Sequence, residues 1–289
     1  MTRRVAIIGN CQAQMLEAMF TVFASDVQVA RLTPNFQMDD ADRDPVFATL
    51  AEADIIFAQR VAGAFHLPWL TPTSLKRAFG NKVWIWPNIY FDGYTPGVHY
   101  IYLNDWGKLS SPLDDYHLQD VVDAYHAGAT AADATHRLIA AESGATDSFA
   151  ASLDELRQRE RETDLTISDW LATAVGQRRC FYTPNHPYNG TLAEMARRLA
   201  AAASIAFNAA HAAEAFTKRL DRIYIPSSPA VVRRHALQFD RILLFRGVEV
   251  TVVAPRNVTL GAPRCYDPIT LVEQFYRIYD VALKVEAAS

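Results

Sequence analysis

A short apolar segment near the N-terminus passes directly into a helix, and this junction constrains the fold most. Val5–Ile8 predicts a short buried strand that ends at Gly9 and Asn10. Over residues 11–24 the apolar side chains recur at helical spacing, so we expect a helix to begin just after the turn. The first structural unit of the chain is therefore a strand, a tight turn and a helix.

The same alternation of strand and helix continues along the first third of the chain. Asp54–Gln59 and Lys82–Trp86 predict two more buried strands. Helical segments are expected at Asp44–Ala53 and Thr73–Phe79. An alternating order of this kind favours a parallel sheet with helices on its faces, which is an α/β fold.

The middle of the chain is predicted to be helical, and the tail to be mixed. The stretch 112–176 has no strand signal, and its candidate helices are Asp114–Ala127, Ala131–Ser143, Ser148–Thr163 and Ser168–Gly176. The later segments are expected to be strands at Arg179–Thr183, Arg222–Pro226 and Val248–Ala254, and helices at Leu192–Ala210 and Ile269–Val285. No Gly/Ser-rich linker divides the chain. We therefore expect a single α/β domain over 1–289, with a helical insertion at about 112–176 and a mixed C-terminal extension at about 222–289.

Composition excludes several classes of function. The net charge of -4 argues against a nucleic-acid-binding protein. No apolar run reaches the ~18 residues of a membrane span, and no signal peptide is recognisable. The three cysteines are odd in number and far apart, which indicates a reducing, cytoplasmic location. No metal site is expected from the spacing of His and Cys, and neither a dinucleotide-binding nor a P-loop glycine motif occurs.

Polar residues follow four predicted strands at the points where the strands end. Ligands of open α/β sheets bind beyond the carboxyl ends of the strands, so we expect a site there. These residues are Gly9, Asn10, Cys11 and Gln12 after the first strand, Gln59 and Arg60 after the second, Asn88 after the third, and Asn185 and His186 after the later one.

Cys11 is the candidate nucleophile. The first turn of a helix offers unpaired N–H groups and the positive end of the helix dipole, which lower the pKa of a thiol. Backbone amides near Cys11 and Gln12 can also receive an oxyanion. The alternative is that Cys11 is a small buried apolar residue, as most free cysteines are.

His186 is the candidate general base. It stands between Pro184 and Pro187 in a loop before a helix, which suits a side chain that reaches a thiol. The alternative is that it caps that helix. The side-chain amides of Gln59, Asn88 and Asn185 are candidate donors to substrate or to an oxyanion, although Asn beside Pro is also common in plain turns. The aromatic segment Trp86–Pro96 either lines a pocket or covers protein.

Three blocks of sequence together resemble a known family. Ile8–Gln12, Pro87–Tyr94 and Phe181–Pro187 resemble the WcbI-type polysaccharide biosynthesis family, over roughly residues 4–205. That family comprises capsule-associated acetyltransferases that bind coenzyme A. A more distant similarity to SGNH hydrolases implies a three-layer, SGNH- or flavodoxin-like core. In this chain Cys11 replaces the serine of that plan and Thr183 replaces its aspartate.

The resemblance implies acyl transfer from acetyl-coenzyme A to a sugar hydroxyl. Cys11 then either attacks the thioester or only lines the site, and His186 handles the proton. The residues implied to bind the cofactor are Tyr90, Tyr94 and the basic residues Arg60, Lys76, Arg77, Arg178 and Arg179. For each basic residue, the alternative is that it is an ordinary surface charge. Three alternatives stay open: a Cys–His thioesterase or esterase, a non-catalytic protein that binds coenzyme A or a glycan, and a purely structural turn at Cys11. The acceptor sugar and the oligomeric state are not predicted.

Overall fold

The computed structural model describes residues 2–104, 107–140, 147–254 and 257–286. The strands are β1 Arg3–Ile8, β2 Val27–Ala30, β3 Ile55–Gln59, β4 Val83–Trp86, β5 Val98–His99, β6 Tyr102–Leu103, β7 Gly107–Lys108, β8 His117–Leu118, β9 Phe181–Thr183, β10 His186–Pro187, β11 Phe245–Ala254 and β12 Asn257–Tyr266. The helices are α1 Cys11–Phe23, α2 Arg43–Glu52, α3 Pro72–Phe79, α4 Gln119–His126, α5 Ala131–Ala140, α6 Ser148–Glu160, α7 Ser168–Gln177, α8 Asn189–Ala202, α9 Ala209–Ala215, α10 Pro229–Arg234 and α11 Pro268–Glu286. Within the described ranges, none of these helices combines the length and the apolar character that crossing a bilayer requires.

Contacts between residues divide the chain into two compact units. Unit 1 consists of Met1–Tyr90, Leu153–Val175 and His186–Leu220. Unit 2 consists of Phe91–Ser152, Gly176–Asn185 and Asp221–Ser289. The expected organisation as one domain stays a prediction.

Unit 1 contains a parallel sheet of four strands in the order β2-β1-β3-β4. This confirms the predicted α/β fold and the three predicted strands β1, β3 and β4. The sequence analysis missed β2, because Val27–Ala30 is a short edge strand in which no side chain is fully buried. Such a strand carries little of the apolar signal from which buried strands are predicted.

Helices cover both faces of this sheet. On one face Ile8 and Ile56 pack in a cluster with Leu50 of α2 and Leu75 of α3. On the other face the ring of Phe57 lies 5.5 Å from that of Phe20 in α1. Helices α8 and α9 pack in turn against α1, which completes a three-layer arrangement.

The strand order creates a crevice at the carboxyl end of β1. Helix α1 leads from β1 to its neighbour β2, whereas β3 pairs with the opposite edge of β1. The connections that leave β1 and β3 therefore diverge, and open α/β sheets bind their ligands at such a switch point. The turn Gly9–Cys11 lies at this point.

Unit 2 is built around a long hairpin and helices. Strands β11 and β12 pair antiparallel, and α4, α5 and α11 share a buried cluster with them. The predicted strand Val248–Ala254 forms the second part of β11. The predicted strand Arg222–Pro226 was wrong, since the chain makes only one β-bridge there, between Tyr224 and Arg246.

Three further expectations need correction. The predicted helix Leu192–Ala210 is interrupted after α8, where Ser204 adopts a positive φ of 52° that does not continue a helix. The stretch 112–176 contains four helices where four were predicted, but the first begins at Gln119 and not at Asp114, because the short strand β8 precedes it. The predicted end of the second helix, at Ser143, lies outside the described residues. The four helices divide between the two units. Strand β9, expected to end at the site, is not one of the four strands of the parallel sheet.

A buried ion pair organises part of unit 2. The side chains of Arg179 and Asp240 are 8% and 4% exposed and pair with each other. Asp240 also accepts hydrogen bonds from the hydroxyls of Tyr224 and Ser227. Arg179 donates to the carbonyl oxygens of Phe181 and Ile225. The pair thus joins segments that are distant in sequence.

We expect Asp240→Ala to destabilise the protein by about 3–5 kcal/mol, because it leaves the Arg179 guanidinium buried without its counter-ion. Urea unfolding measures the change. The control is Asp154→Ala, which removes an exposed i,i+3 partner of Arg157 and should cost less than about 1 kcal/mol. Equal losses in the two variants would contradict this account of the buried pair.

Candidate active site

The turn between β1 and α1 is fixed by a very close approach of two strands. A Cβ atom on Gly9 would lie 2.6 Å from the Cβ of Gln59, which is too close for two carbon atoms, so the position requires glycine. The backbone N–H of Asn10 donates to Oε1 of Gln59 at 2.9 Å. Asn10 also caps α1, since its Oδ1 accepts from the N–H of Gln12 at 2.9 Å.

Two buried glutamines connect this turn to the loop after β4. Nε2 of Gln59 donates to Oε1 of Gln12 at 3.1 Å and to Oδ1 of Asn88 at 3.5 Å. Gln12 exchanges two hydrogen bonds with the backbone of Ile89, at 2.8 Å and 3.1 Å. We call this set, Asn10, Gln12, Gln59, Asn88 and Ile89, the amide network. It ties together the loops that follow β1, β3 and β4.

The amide network changes the roles expected of its members. Gln12 and Gln59 are 0% and 4% exposed, and each of their side-chain polar atoms bonds to another group of unit 1. They hold the loops in place, and their role in binding substrate stays a prediction. Asn88 is half-buried, and because Oδ1 accepts from Gln59, its Nδ2 is the atom left to donate. The Gln12 N–H, expected as an oxyanion donor, is taken by Asn10.

Cys11 is the first residue of α1 and is half-buried. Burial raises the pKa of its thiol to about 11, against the effect of the backbone N–H groups of Cys11 and Gln12, which lower it. The expected low pKa is therefore wrong: removal from water outweighs the helix N-terminus. At neutral pH the Cys11 side chain is a neutral thiol.

His186 is also half-buried, and its imidazole is neutral at neutral pH. Burial lowers the pKa of its imidazole to about 4. Its Nδ1 is buried and has no hydrogen-bond partner in the described part of the chain. Thr183, which stands in place of the hydrolase aspartate, donates instead to the hydroxyl of Tyr116 at 3.1 Å. His186 and Cys11 both belong to unit 1, and no hydrogen bond between described residues joins them.

The expected cofactor residues of unit 1 are mostly paired with acids. Arg60 forms an ion pair with Glu162 at 2.9 Å, and Lys76 forms one with Asp164 at 2.6 Å. The guanidinium of Arg159 lies over the ring of Tyr90, 5.7 Å from its centroid. Arg77 is exposed.

Two expected cofactor residues of unit 2 have a structural role instead. Tyr94 is 1% exposed, its ring packs against Phe91 and Phe149, and its hydroxyl donates to the carbonyl of Arg178. Arg179 belongs to the buried ion pair with Asp240. Neither side chain offers a surface for a nucleotide. Arg178 is exposed and Asn185 is half-buried.

The sequence analysis missed Asn35, which supports the turn from the loop after β2. Its backbone N–H donates to the carbonyl of Gly9 at 2.9 Å, and its side chain is 5% exposed. The position follows a strand that was itself not predicted, so no signal marked it. Among the described residues, no three His, Cys, Asp or Glu side chains come together as metal ligands.

The chain is similar to a known protein family and to a solved structure. A family model described as the polysaccharide biosynthesis enzyme WcbI matches residues 4–208. The chain belongs to the WcbI family. A solved structure of WcbI covers 100% of this chain and 93% of its own, with a TM-score of 0.75 and 20% identity. That structure is described as native protein without a disulfide bond between coenzyme A and one of its cysteines. No curated protein matches the chain.

Membership of the WcbI family confirms the expected resemblance, and the structural match confirms the fold over the whole chain. It also shows that the chain is a polysaccharide biosynthesis enzyme. The family match includes the turn Gly9–Cys11, the amide network and His186.

We expect Gly9→Ala to displace Gln59 and to destabilise the protein by about 1–3 kcal/mol, because a methyl group has no room there. Thermal unfolding measures the change. Gly63→Ala is the matched control, since nothing lies within 4 Å of the added atom. If the two variants are equally stable, the close approach is not what fixes the turn.

We expect Cys11 to react slowly with iodoacetamide at pH 7.5. A thiol pKa of about 11 gives about 300-fold less thiolate than an ordinary cysteine has. The rate should rise with pH up to that value. Mass spectrometry of the alkylated peptides measures it, with the exposed Cys265 as the internal control. Equal rates for the two cysteines at pH 7.5 would contradict the raised pKa.

Proposed function

We propose that this chain is a cytoplasmic acetyltransferase that moves an acetyl group from acetyl-coenzyme A to a sugar hydroxyl during polysaccharide synthesis. The observation that carries the proposal is Cys11 at the first position of α1, at the switch point of the sheet. The solved WcbI structure is described as lacking a disulfide bond between coenzyme A and a cysteine, and this association of coenzyme A with WcbI supports a coenzyme A site in this chain, which we place beside Cys11. In this proposal Arg60 and Tyr90 lie on the cofactor side.

The transfer that fits these residues best is direct. The sugar oxygen attacks the thioester carbonyl, a C–O bond forms and the C–S bond breaks. His186, neutral over the physiological pH range, accepts the hydroxyl proton and returns it to the departing thiolate of coenzyme A. The products are an O-acetyl sugar and free coenzyme A.

In this route Cys11 lines the thioester site and does not attack it. A thiol whose pKa burial raises to about 11 is a poor nucleophile at neutral pH, since only the thiolate attacks. The raised pKa of the Cys11 thiol also disfavours a Cys–His thioesterase, which needs the thiolate as its nucleophile. The backbone N–H of Cys11 and Nδ2 of Asn88 are the donors we assign to the oxyanion.

Titration calorimetry and a transfer assay test the proposal together. We expect the wild type to bind coenzyme A and acetyl-coenzyme A near the micromolar range, about -8 kcal/mol. His186→Ala should keep this binding and lose transfer by about 10²–10⁴-fold, because it removes the general base. Release of coenzyme A in the presence of sugar acceptors, compared with water alone, measures transfer.

The cysteine variants separate the two routes. Cys11→Ala should keep measurable transfer and binding, and Cys265→Ala, at an exposed cysteine, is the control. An acetylated Cys11 peptide together with complete loss of transfer in Cys11→Ala would overturn the direct route. Absence of coenzyme A binding in every form would overturn the proposed function itself.

A further inference from the structure

Unit 2 contains a pocket that none of the candidate active-site residues lines. Its volume is about 410 Å³, within the range of small-molecule sites. It lies between the C-terminal end of α4 and the C-terminal half of α11. Its lining consists of Tyr125, His126, Gly128, Ala129, Tyr276, Asp280 and Leu283.

Two tyrosine rings form perpendicular walls of the pocket. The rings of Tyr125 and Tyr276 are 5.1 Å apart and inclined at 81°. The hydroxyl oxygen of Tyr276 is buried, so its ring is the part that it presents. The hydroxyl of Tyr125 donates to Oδ1 of Asp280 at 3.0 Å, which fixes the first ring relative to the carboxylate. Aromatic walls at a right angle offer apolar contact to two sides of one ligand.

The charged group of the pocket is a hydrogen-bond acceptor. Asp280 is the one acidic side chain among the described residues that line it, and no Lys or Arg is among them. The C-terminal end of α4 adds the negative end of a helix dipole, although its carbonyl oxygens at Asp123, Ala124 and Tyr125 already accept from the turn that follows. Anionic ligands, including the phosphates of coenzyme A, are therefore disfavoured. A ligand rich in hydroxyl donors is favoured.

Two small residues, Gly128 and Ala129, line the mouth of the pocket and leave it open. Helix α4 ends at a turn where Gly128 has a φ of 69°, a conformation that glycine adopts at little cost. An added Cβ on Gly128 would meet nothing within 4 Å, so open space lies beside it. Ala129 follows with only a methyl group. The rim therefore admits a ring-sized ligand between the helix end and the tyrosines.

We propose that this pocket of unit 2 binds a neutral sugar residue of the polysaccharide. A sugar ring has apolar C–H faces for the tyrosines and hydroxyl donors for Asp280, which is the combination that the pocket offers. The identity of the ligand rests on the proposed function, because that function supplies a carbohydrate acceptor.

The test measures the binding of defined tetrasaccharides of glucose, mannose, galactose and N-acetylglucosamine by ligand-observed NMR. We expect saturable binding of at least one of them to the wild type. Tyr276→Ala should weaken it about tenfold or more, through loss of one aromatic wall. Asp280→Asn, at an exposed position that should not affect folding, should also weaken it. Tyr102→Ala removes a tyrosine that is 68% exposed and outside the pocket, and it should leave binding unchanged.

Parallel titration with coenzyme A separates this inference from the proposed function. The pocket variants should bind coenzyme A as the wild type does. Coenzyme A binding without any tetrasaccharide binding overturns the pocket proposal alone. If Tyr276→Ala and Asp280→Asn leave tetrasaccharide binding intact, the pocket proposal is also overturned. The same holds if the protein binds tetramethylammonium, a cation that aromatic rings and a carboxylate attract, but binds no sugar. Tetrasaccharide binding without coenzyme A binding leaves the pocket standing and removes the transferase.

Discussion

The close approach of Gly9 to Gln59 is the constraint on which the site depends. It brings the ends of β1 and β3 together so tightly that a methyl group cannot be placed between them. The side chain of Gln59 then reaches both the Asn10 N–H and Gln12, and Gln12 holds the loop after β4. A buried polar network of this kind stabilises only if every member is bonded, and here the glutamines are. Cys11 takes its place at the crevice because this contact and these hydrogen bonds hold the turn before it.

Burial, more than the helix dipole, sets the chemistry of the two candidate catalytic groups. It raises the pKa of Cys11 and lowers that of His186, so both are uncharged near neutral pH. A neutral imidazole accepts a proton, whereas a neutral thiol does not attack a thioester. The two shifts together favour a direct transfer to a sugar hydroxyl. Unit 2 adds an aromatic pocket whose charged lining group is a carboxylate, and this chemistry differs from what a phosphate-bearing cofactor requires.

Sequence reasoning found what depends on local pattern. β1, β3 and β4 are apolar runs between turns, and the position of α1 follows from the spacing of Met15, Leu16 and Met19. It failed where tertiary contacts decide. Gln12 and Gln59 look like ligand donors in the sequence, yet their partners come from loops up to 77 residues away. Tyr94 and Arg179 look like cofactor-binding residues in the sequence, but the fold of unit 2 buries them.

The most direct test of the account is a crystal structure of the protein with coenzyme A bound. The account predicts that the sulfur of coenzyme A lies in van der Waals contact with Sγ of Cys11, within about 4 Å. It also predicts that the glutamines of the amide network keep their hydrogen bonds. A coenzyme A molecule whose sulfur lies away from the turn Gly9–Cys11 would contradict the central claim.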